Sequence, residues 1–321
     1  MYTVSPAPHI RGKESTKKIM WSVVAAILPA GIAGVWIFGA HSAYVILASV
    51  ITAIAAEIAL QKLMKKPVKI SDGSAVITGL LLAYNIPPGS PIWLPVCGSL
   101  FAIAIAKYTF GGLGKNIFNP ALAGRAFLMI SWPAYMTSWV NPGFWPDGIS
   151  SATPIARNAS ESVLPVYKFS YMDLLMGNRG GCIGEVCVIA ILAGAAYLLY
   201  KGYIKWRTPF SYIFTVGILA WAFGAINLFD GDWLFAVLSG GLMLGAFFMA
   251  TDMVTTPLTA KGQIIFGLCC GIITFAIRKW GGYPEGVSYS ILMMNAATPI
   301  IDRFTKNKVF GKSASLRARM K

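Results

Sequence analysis

Thr153 lies in the stretch Asp147-Gly148-Ile149-Ser150-Ser151-Ala152-Thr153-Pro154, where two hydroxyls and a carboxylate precede it and a proline follows. A residue before proline is pushed to an extended backbone, and Asp, Gly and Ser favour turns around it. A hydroxyl so presented is open to a modifying enzyme. The pattern marks the acceptor, not the group attached. Among the carboxylates in or at the ends of apolar stretches, three stand out: Glu57 among Ala55, Ala56, Ile58 and Ala59, Asp252 before Thr255-Thr256-Pro257, and Asp302 beside Arg303. Ionisable groups at membrane depth are expensive and are functional hypotheses by default. As oxygen ligands, the three are ion-pathway candidates for Na⁺ or H⁺. For Glu57 the alternative is an interfacial group that snorkels or pairs with a neighbouring cation. For Asp302 it is pairing with its neighbour.

Gly111-Gly112-Leu113-Gly114-Lys115-Asn116-Ile117-Phe118-Asn119-Pro120 is a glycine-rich turn without the spacing of a P-loop or dinucleotide fingerprint. With Asn116, Asn119 and Arg125 it could hold part of an anionic or heteroaromatic cofactor. The other reading pairs Arg125 with Glu57 or another buried carboxylate. The five cysteines form no Cys-x-x-Cys pair and have only two histidines for company, so no zinc or iron–sulfur site is expected. Cys182 alone stands near a membrane face.

The elements that must position these residues are membrane helices. Of 321 residues 56% are hydrophobic and only 12% charged, with a mean hydropathy of +0.64, where soluble domains run near a quarter charged. The net charge of +15 is then a topology signal before it is a hint of nucleic acid, and no nucleic-acid partner is expected. About ten apolar windows of roughly 15 to 20 residues recur, at 19–38, 42–61, 72–86, 91–107, 118–136, 182–200, 208–226, 233–250, 263–278 and 286–303. The first follows a polar segment and carries no small-residue cleavage site, which reads as an anchor, not a removed leader.

Most lysines and arginines, those within 11–18, 62–69, 107–115 and 201–207 and in the tail from Arg303 onward, fall on one side of such a path. The positive-inside rule makes that side cytoplasmic, with both termini there. The expected organisation is a cytoplasmic segment 1–18, a five-helix half 19–136, an outer-face loop 137–181 carrying Thr153, a second half 182–303 and a basic tail 304–321. Two halves of five spans enter the membrane from opposite sides, the arithmetic of an inverted repeat. Faint internal echoes agree: small residues before a Pro-containing exit at 74–88 and at 239–257, and Asn119-Pro120-Ala121 with Arg125 against Asn295-Ala296-Ala297 with Arg303. Short, Pro- or Gly-interrupted spans in corresponding positions point to a midplane site.

At Asp147-x-x-Ser150-Ser151-Ala152-Thr153 the chain resembles the flavinylation site of the NqrB/RnfD family of membrane flavoproteins, components of the Na⁺-translocating NADH:quinone reductase and of the Rnf complex. The resemblance runs along nearly the whole chain. It takes in Ser5-Pro6-Ala7-Pro8-His9-Ile10-Arg11, Ser71-Asp72-Gly73-Ser74-Ala75-Val76-Ile77-Thr78-Gly79, Asn116-Ile117-Phe118-Asn119-Pro120-Ala121, Gly124-Arg125-Ala126-Phe127 and Ala250-Thr251-Asp252. Ser151 departs from the glycine more usual there, and the short segment before the first span looks more like the Rnf protein than the quinone-reductase one. The resemblance implies an all-α integral membrane protein of the bacterial or archaeal cytoplasmic membrane, an electron carrier in an ion-translocating ferredoxin:NAD⁺ oxidoreductase. It implies FMN on Thr153 through its phosphate, a noncovalent riboflavin nearer the cytoplasmic side, and partners that include the other proteins of the complex and among them an outer-face flavoprotein. The competing readings are a plain channel or solute transporter, which needs no flavin, and a structural membrane scaffold.

Overall fold

The computed structural model of the chain describes residues 14–140, 142, 150–151, 170–225, 227–281 and 285–306. These are overwhelmingly helical and pack as two compact units, Met1–Asn116 with Pro120–Ile204 and Ile117–Asn119 with Lys205–Lys321. Three helices, Thr16–Phe38, Ala40–Leu63 and Ala260–Trp280, are long and apolar enough to cross a membrane, and shorter apolar helices accompany them. The chain is a multi-pass helical membrane protein.

In the first unit α1 (Thr16–Phe38) starts at Ser15, whose side chain accepts from Lys18 N, and α2 (Ala40–Leu63) follows after a single residue. That residue is Gly39 at φ 86°, ψ −175°, a conformation open in practice only to glycine. Before α1, the Glu14 carboxylate accepts from Lys18 Nζ at 2.7 Å and from Tyr203 OH at 2.8 Å. These two bonds, Lys18 first, hold the Glu14 carboxyl below its ordinary value of 4.5. Ile32, Trp36, Tyr44, Leu47 and Ile51 point outward and exposed, as apolar faces bathed in lipid do.

The short helix α3 (Ser74–Tyr84) spans only about 17 Å at 1.5 Å per residue, roughly half the hydrocarbon thickness. The irregular backbone beyond it must therefore be covered by protein. Residues 182–187 do this: Ile183 N donates to Ile86 O at 3.2 Å and Gly184 N to Tyr84 O at 3.1 Å. A Cβ on Gly184 would lie 2.2 Å from Tyr84 Cβ, so the approach requires glycine. The apolar window expected as a span from 182 accordingly becomes helical only at Val188, in α8 (Val188–Tyr200). Its first residues are spent on α3 and not on their own turn.

Between them lie α4 (Trp93–Phe101), which continues as a π-helical segment over Ala102–Tyr108, then α5 (Pro120–Ser131) and α6 (Pro133–Met136). Pro133 breaks the 118–136 window in two. A two-residue antiparallel pairing follows, β1 (Trp139–Val140) on β2 (Ser150–Ser151), with Trp139 opposite Ser151 and Val140 opposite Ser150. The helix α7 (Tyr171–Met176) opens on a capping box between Ser170 and Asp173.

The second unit holds α9 (Arg207–Phe223), α10 (Trp233–Leu238), α11 (Leu242–Leu244) with a π-helical continuation Gly245–Met249, α12 (Ala260–Trp280) and α13 (Val287–Phe304). Two helices meet here through small residues: a Cβ on Gly267 would sit 1.9 Å from Ser211 Oγ, and one on Gly271 2.5 Å from Thr215 Cβ. Gly at i and i+4 facing Ser and Thr at i and i+4 is the close packing that membrane helices use in place of a hydrophobic drive. Tyr212 OH then bonds Thr274 Oγ1 at 2.6 Å and Ser290 Oγ at 2.8 Å, joining α9, α12 and α13. The window expected over 233–250 is interrupted at Ser239-Gly240-Gly241, where Gly240 has φ 67°. Arg278 makes the break tolerable, donating to Ala236 O at 2.7 Å and Ser239 O at 3.2 Å, carbonyls that a helix end leaves without an intrahelical donor.

Candidate functional site

Glu57 is 2% exposed, on the inward face of α2. Ala53 and Ala56 on the same helix are small, and Ile103 and Tyr108 of the π-helical segment pack against them, with Leu60 alongside. This contact carries Lys107 into the unit. Its ammonium donates to Glu57 Oε1 at 2.9 Å, Glu57 Oε2 at 2.8 Å and Ser74 Oγ at 2.8 Å, using all three protons. Tyr108 OH donates to Glu57 Oε1 at 3.0 Å and accepts from Gln61 Nε2 at 2.7 Å. Gln61, one turn on from Glu57, also donates to Oε1 at 3.3 Å, and its own oxygen accepts Lys69 N at 2.7 Å. Ser74 is fixed in turn by Asp72, whose Oδ1 accepts both Ser74 N and Ser74 Oγ at 3.1 Å.

Every polar atom of the pair is thus engaged, which buried charge requires. Elements from four stretches of sequence, α2, the turn over 69–73, α3 and the π-helical segment, converge on one carboxylate. The turn is itself held in place: Trp21 Nε1 donates to Ser71 O at 3.1 Å, and Gly73 adopts φ 79° beneath the indole.

Arg125, also 2% exposed, has an amide among its partners. Its Nη1 donates to Asn85 Oδ1 at 2.7 Å, just past the end of α3, and its Nη2 lies 4.0 Å from Cys182 Sγ. Asn85 meanwhile donates to Leu81 O at 2.6 Å. Near the same chain segment, Cys182 N donates to Glu185 Oε1 at 3.0 Å and Arg179 Nη2 to Glu185 O at 3.0 Å. Asn116 is buried at the end of the glycine-rich turn, where Gly111, Gly112 and Gly114 all have positive φ.

Asn119 belongs to the second unit, where its Nδ2 donates to Met249 O at 3.4 Å. With the Asn295 amide oriented to satisfy both its ends, its oxygen accepts Asn119 N at 3.1 Å and its nitrogen donates to Ile291 O at 3.2 Å. Asp252 follows the Gly245–Met249 segment, half-buried. Its carboxylate accepts Val254 N at 3.4 Å and Thr255 Oγ1 at 3.2 Å. Asp302 accepts Leu258 N at 3.1 Å and so closes the Pro257 exit onto α13.

Of the modification stretch, Ser150 and Ser151 are held extended in the pairing with Trp139 and Val140, whose side chains are buried. Asp147, Ala152 and Thr153 lie outside the described residues. The structure brings Glu57 together with Lys107, Ser74, Tyr108 and Gln61, none of which stands out in the sequence as a site residue. The available signal is Lys107 itself, the lone cation near the end of the apolar run 101–108, where it reads as a loop charge.

The sequence matches the family described as NQR2, RnfD, RnfE over residues 3–311. It is 49% identical to the D component of the proton-translocating ferredoxin:NAD(+) oxidoreductase complex of Clostridium ljungdahlii, over 97% of this chain and 96% of that one. It is 50% identical to the D component of the Na(+)-translocating ferredoxin:NAD(+) oxidoreductase complex of Acetobacterium woodii, over 96% and 95% of the two chains. The D component of the ion-translocating oxidoreductase complex of Stutzerimonas stutzeri is 37% identical over 94% of each.

Proposed function

The chain belongs to the NQR2, RnfD, RnfE family, and on that footing we propose that it is the membrane redox component, of the D type, in an ion-translocating ferredoxin:NAD⁺ oxidoreductase of the Rnf kind. The near end-to-end likeness to two relatives of that name, at about half identity, carries the reading. One of those relatives is named for protons and the other for Na⁺. Overall likeness therefore leaves the ion to be decided by individual residues.

Thr153 is the covalent anchor of FMN, joined through its phosphate, with Asp147, Ser150, Ser151 and Ala152 forming the recognition stretch. The extended pairing of Ser150 and Ser151 with Trp139 and Val140 supports this, because a tethered group needs a fixed approach to its anchor. When bound, the flavin supplies one- and two-electron transfer, and the protein's part is to hold it and to tune it. A second, noncovalent riboflavin belongs nearer the cytoplasmic side, by the stretch from Gly111 to Arg125. Glu57, Asp252 and Asp302 are the candidates for the ion path.

The protein sits in the cytoplasmic membrane with about ten spans, both termini inside and the Thr153 loop outside, where it meets an outer-face flavoprotein of the same complex. The halves 19–136 and 182–303 are inverted repeats. Supporting this, each has a short or broken third helix, Ser74–Tyr84 in one and Trp233–Leu238 with its continuation in the other, flanked by an arginine contact.

The test is mass spectrometry of the denatured protein from its native host, with peptides mapped across 147–157. An FMN adduct on Thr153 is expected. An unmodified peptide, from cells that flavinylate other proteins, overturns the carrier reading in favour of a plain transporter.

A further inference from the structure

We propose that Glu57, Ser74 and Lys107 make a monovalent-cation site in which the Lys107 ammonium stands in for a dissociable alkali ion, Na⁺ or Li⁺. This rests on the ion-translocation reading and adds to it where an ion binds and what displaces it.

The geometry is that of a coordinated cation. Three oxygens from two different helices, both carboxylate oxygens of Glu57 and the Ser74 hydroxyl, lie 2.8–2.9 Å from one nitrogen. The remaining polar groups face the carboxylate and not the cation: Tyr108 OH and Gln61 Nε2 both donate to Glu57 Oε1 and fix its orientation. Oxygen ligands of this kind suit hard cations. As a purely structural device the pair is a poor choice, since a buried ion pair is often no more stabilising than well-packed apolar side chains.

Lys107 is also placed by an unusual backbone. Ala102–Tyr108 is π-helical, and such segments are rare and frequent at functional sites. Returning one residue to α-helical register turns the side chains beyond it by roughly 100° at 3.6 residues per turn. That rotation takes the ammonium off Glu57, and Tyr108 with it, while Gln61 Nε2 still donates to the carboxylate and the two-helix oxygen set stays in place. The site lies close to the surface at one end of the unit: Ser74 is bonded to the half-buried Asp72, and Gln61 to the backbone of the exposed Lys69. The exchange is electroneutral at the site: one cation arrives as another withdraws, and the Glu57 carboxylate stays charged throughout.

The experiment is ²²Na⁺ binding to the full chain in detergent, comparing wild type, Lys107→Met and the double variant Glu57→Gln/Lys107→Met. Without its tethered competitor, Lys107→Met should bind one Na⁺ at least tenfold more tightly than wild type, with Li⁺ competing and choline not. The double variant should lack that ion. Equal binding by Lys107→Met and the double variant overturns the proposal. If Lys107→Met is unstable, it should be rescued by Na⁺ medium and not by choline medium, since the ion replaces the lost ammonium. Instability in both media, with the double variant folded, also overturns it. The readout needs neither flavin nor turnover, so a failure here leaves the Thr153 assignment untouched, and a failure there leaves this site standing.

Discussion

Arg125 Nη1 donates to Asn85 Oδ1 at 2.7 Å, both residues buried, and so anchors the end of the half-length helix Ser74–Tyr84 to α5. Replacing Arg125 by Met leaves the Asn85 oxygen without this donor. A buried polar group deprived of its partner costs about 1–3 kcal/mol, and the variant should unfold at correspondingly lower denaturant in detergent. Arg125→Lys, which keeps the charge but loses the planar fork, should fall between. Unchanged stability together with lost riboflavin would instead make Arg125 a cofactor ligand.

That Arg125 meets an amide and Glu57 a lysine is not legible from order along the chain. Glu57 and Lys107 are fifty positions apart, and Lys107 reads as a loop charge until the π-helical register brings it inward. The long helices Thr16–Phe38, Ala40–Leu63 and Ala260–Trp280 are legible, because an uninterrupted apolar run of span length has no competing structure in lipid. The windows at 182–200 and 233–250 are not. Their hydropathy is that of a helix, but Ile183 and Gly184 give their N–H groups to the segment ending α3, and Arg278 stabilises a break at Ser239. Hydropathy reports burial; it does not report which backbone donor is already taken.

Thr153→Ala should abolish the covalent flavin and, with it, ferredoxin-to-NAD⁺ electron transfer in the complex, while helical circular dichroism stays at the wild-type level. The covalent flavin is read as in-gel fluorescence of the denatured chain. Normal turnover in this variant would remove Thr153 from the electron path.

Gly271→Leu should disrupt the second unit. A Cβ at Gly271 already falls 2.5 Å from Thr215 Cβ, and both partners are on long helices that cannot give way singly. Overpacking of this kind typically costs about 1–3 kcal/mol, occasionally more. The expected result is a lowered thermal midpoint, and a second-site Thr215→Ala should recover part of it. An unshifted midpoint would mean that the helix pair separates freely.

At the exposed entrance to α1, Glu14 is held below its ordinary pKa of 4.5 by Lys18 and then Tyr203. A carboxyl whose folded value is depressed contributes stability that is present above the unfolded value and lost as pH falls through the folded one. The wild-type thermal midpoint should therefore drop more than that of Glu14→Gln once the pH goes below about 4.5. Parallel curves for the two would show that the contact between Glu14 and Tyr203 does not persist in solution.

Asp252 and Asp302, both in the second unit, are distinguished by what they hold. Asp302 accepts a backbone N–H from Leu258, a long-range contact that fixes the Thr-Pro exit to α13. Asp252 accepts from groups two and three residues ahead of it, Val254 N and Thr255 Oγ1. A carboxylate bonded within its own turn can change ligands without moving a helix, whereas one that ties two elements cannot. Asp302→Asn keeps an acceptor oxygen for Leu258 but weakens a charge-assisted bond, and should lower stability while leaving the ion dependence of turnover in place. Asp252→Asn should do the reverse, raising the Na⁺ or H⁺ concentration needed for half-maximal electron transfer several-fold at unchanged flavin content. Ion dependence that stays the same in Asp252→Asn would return that carboxylate to the role of a turn cap.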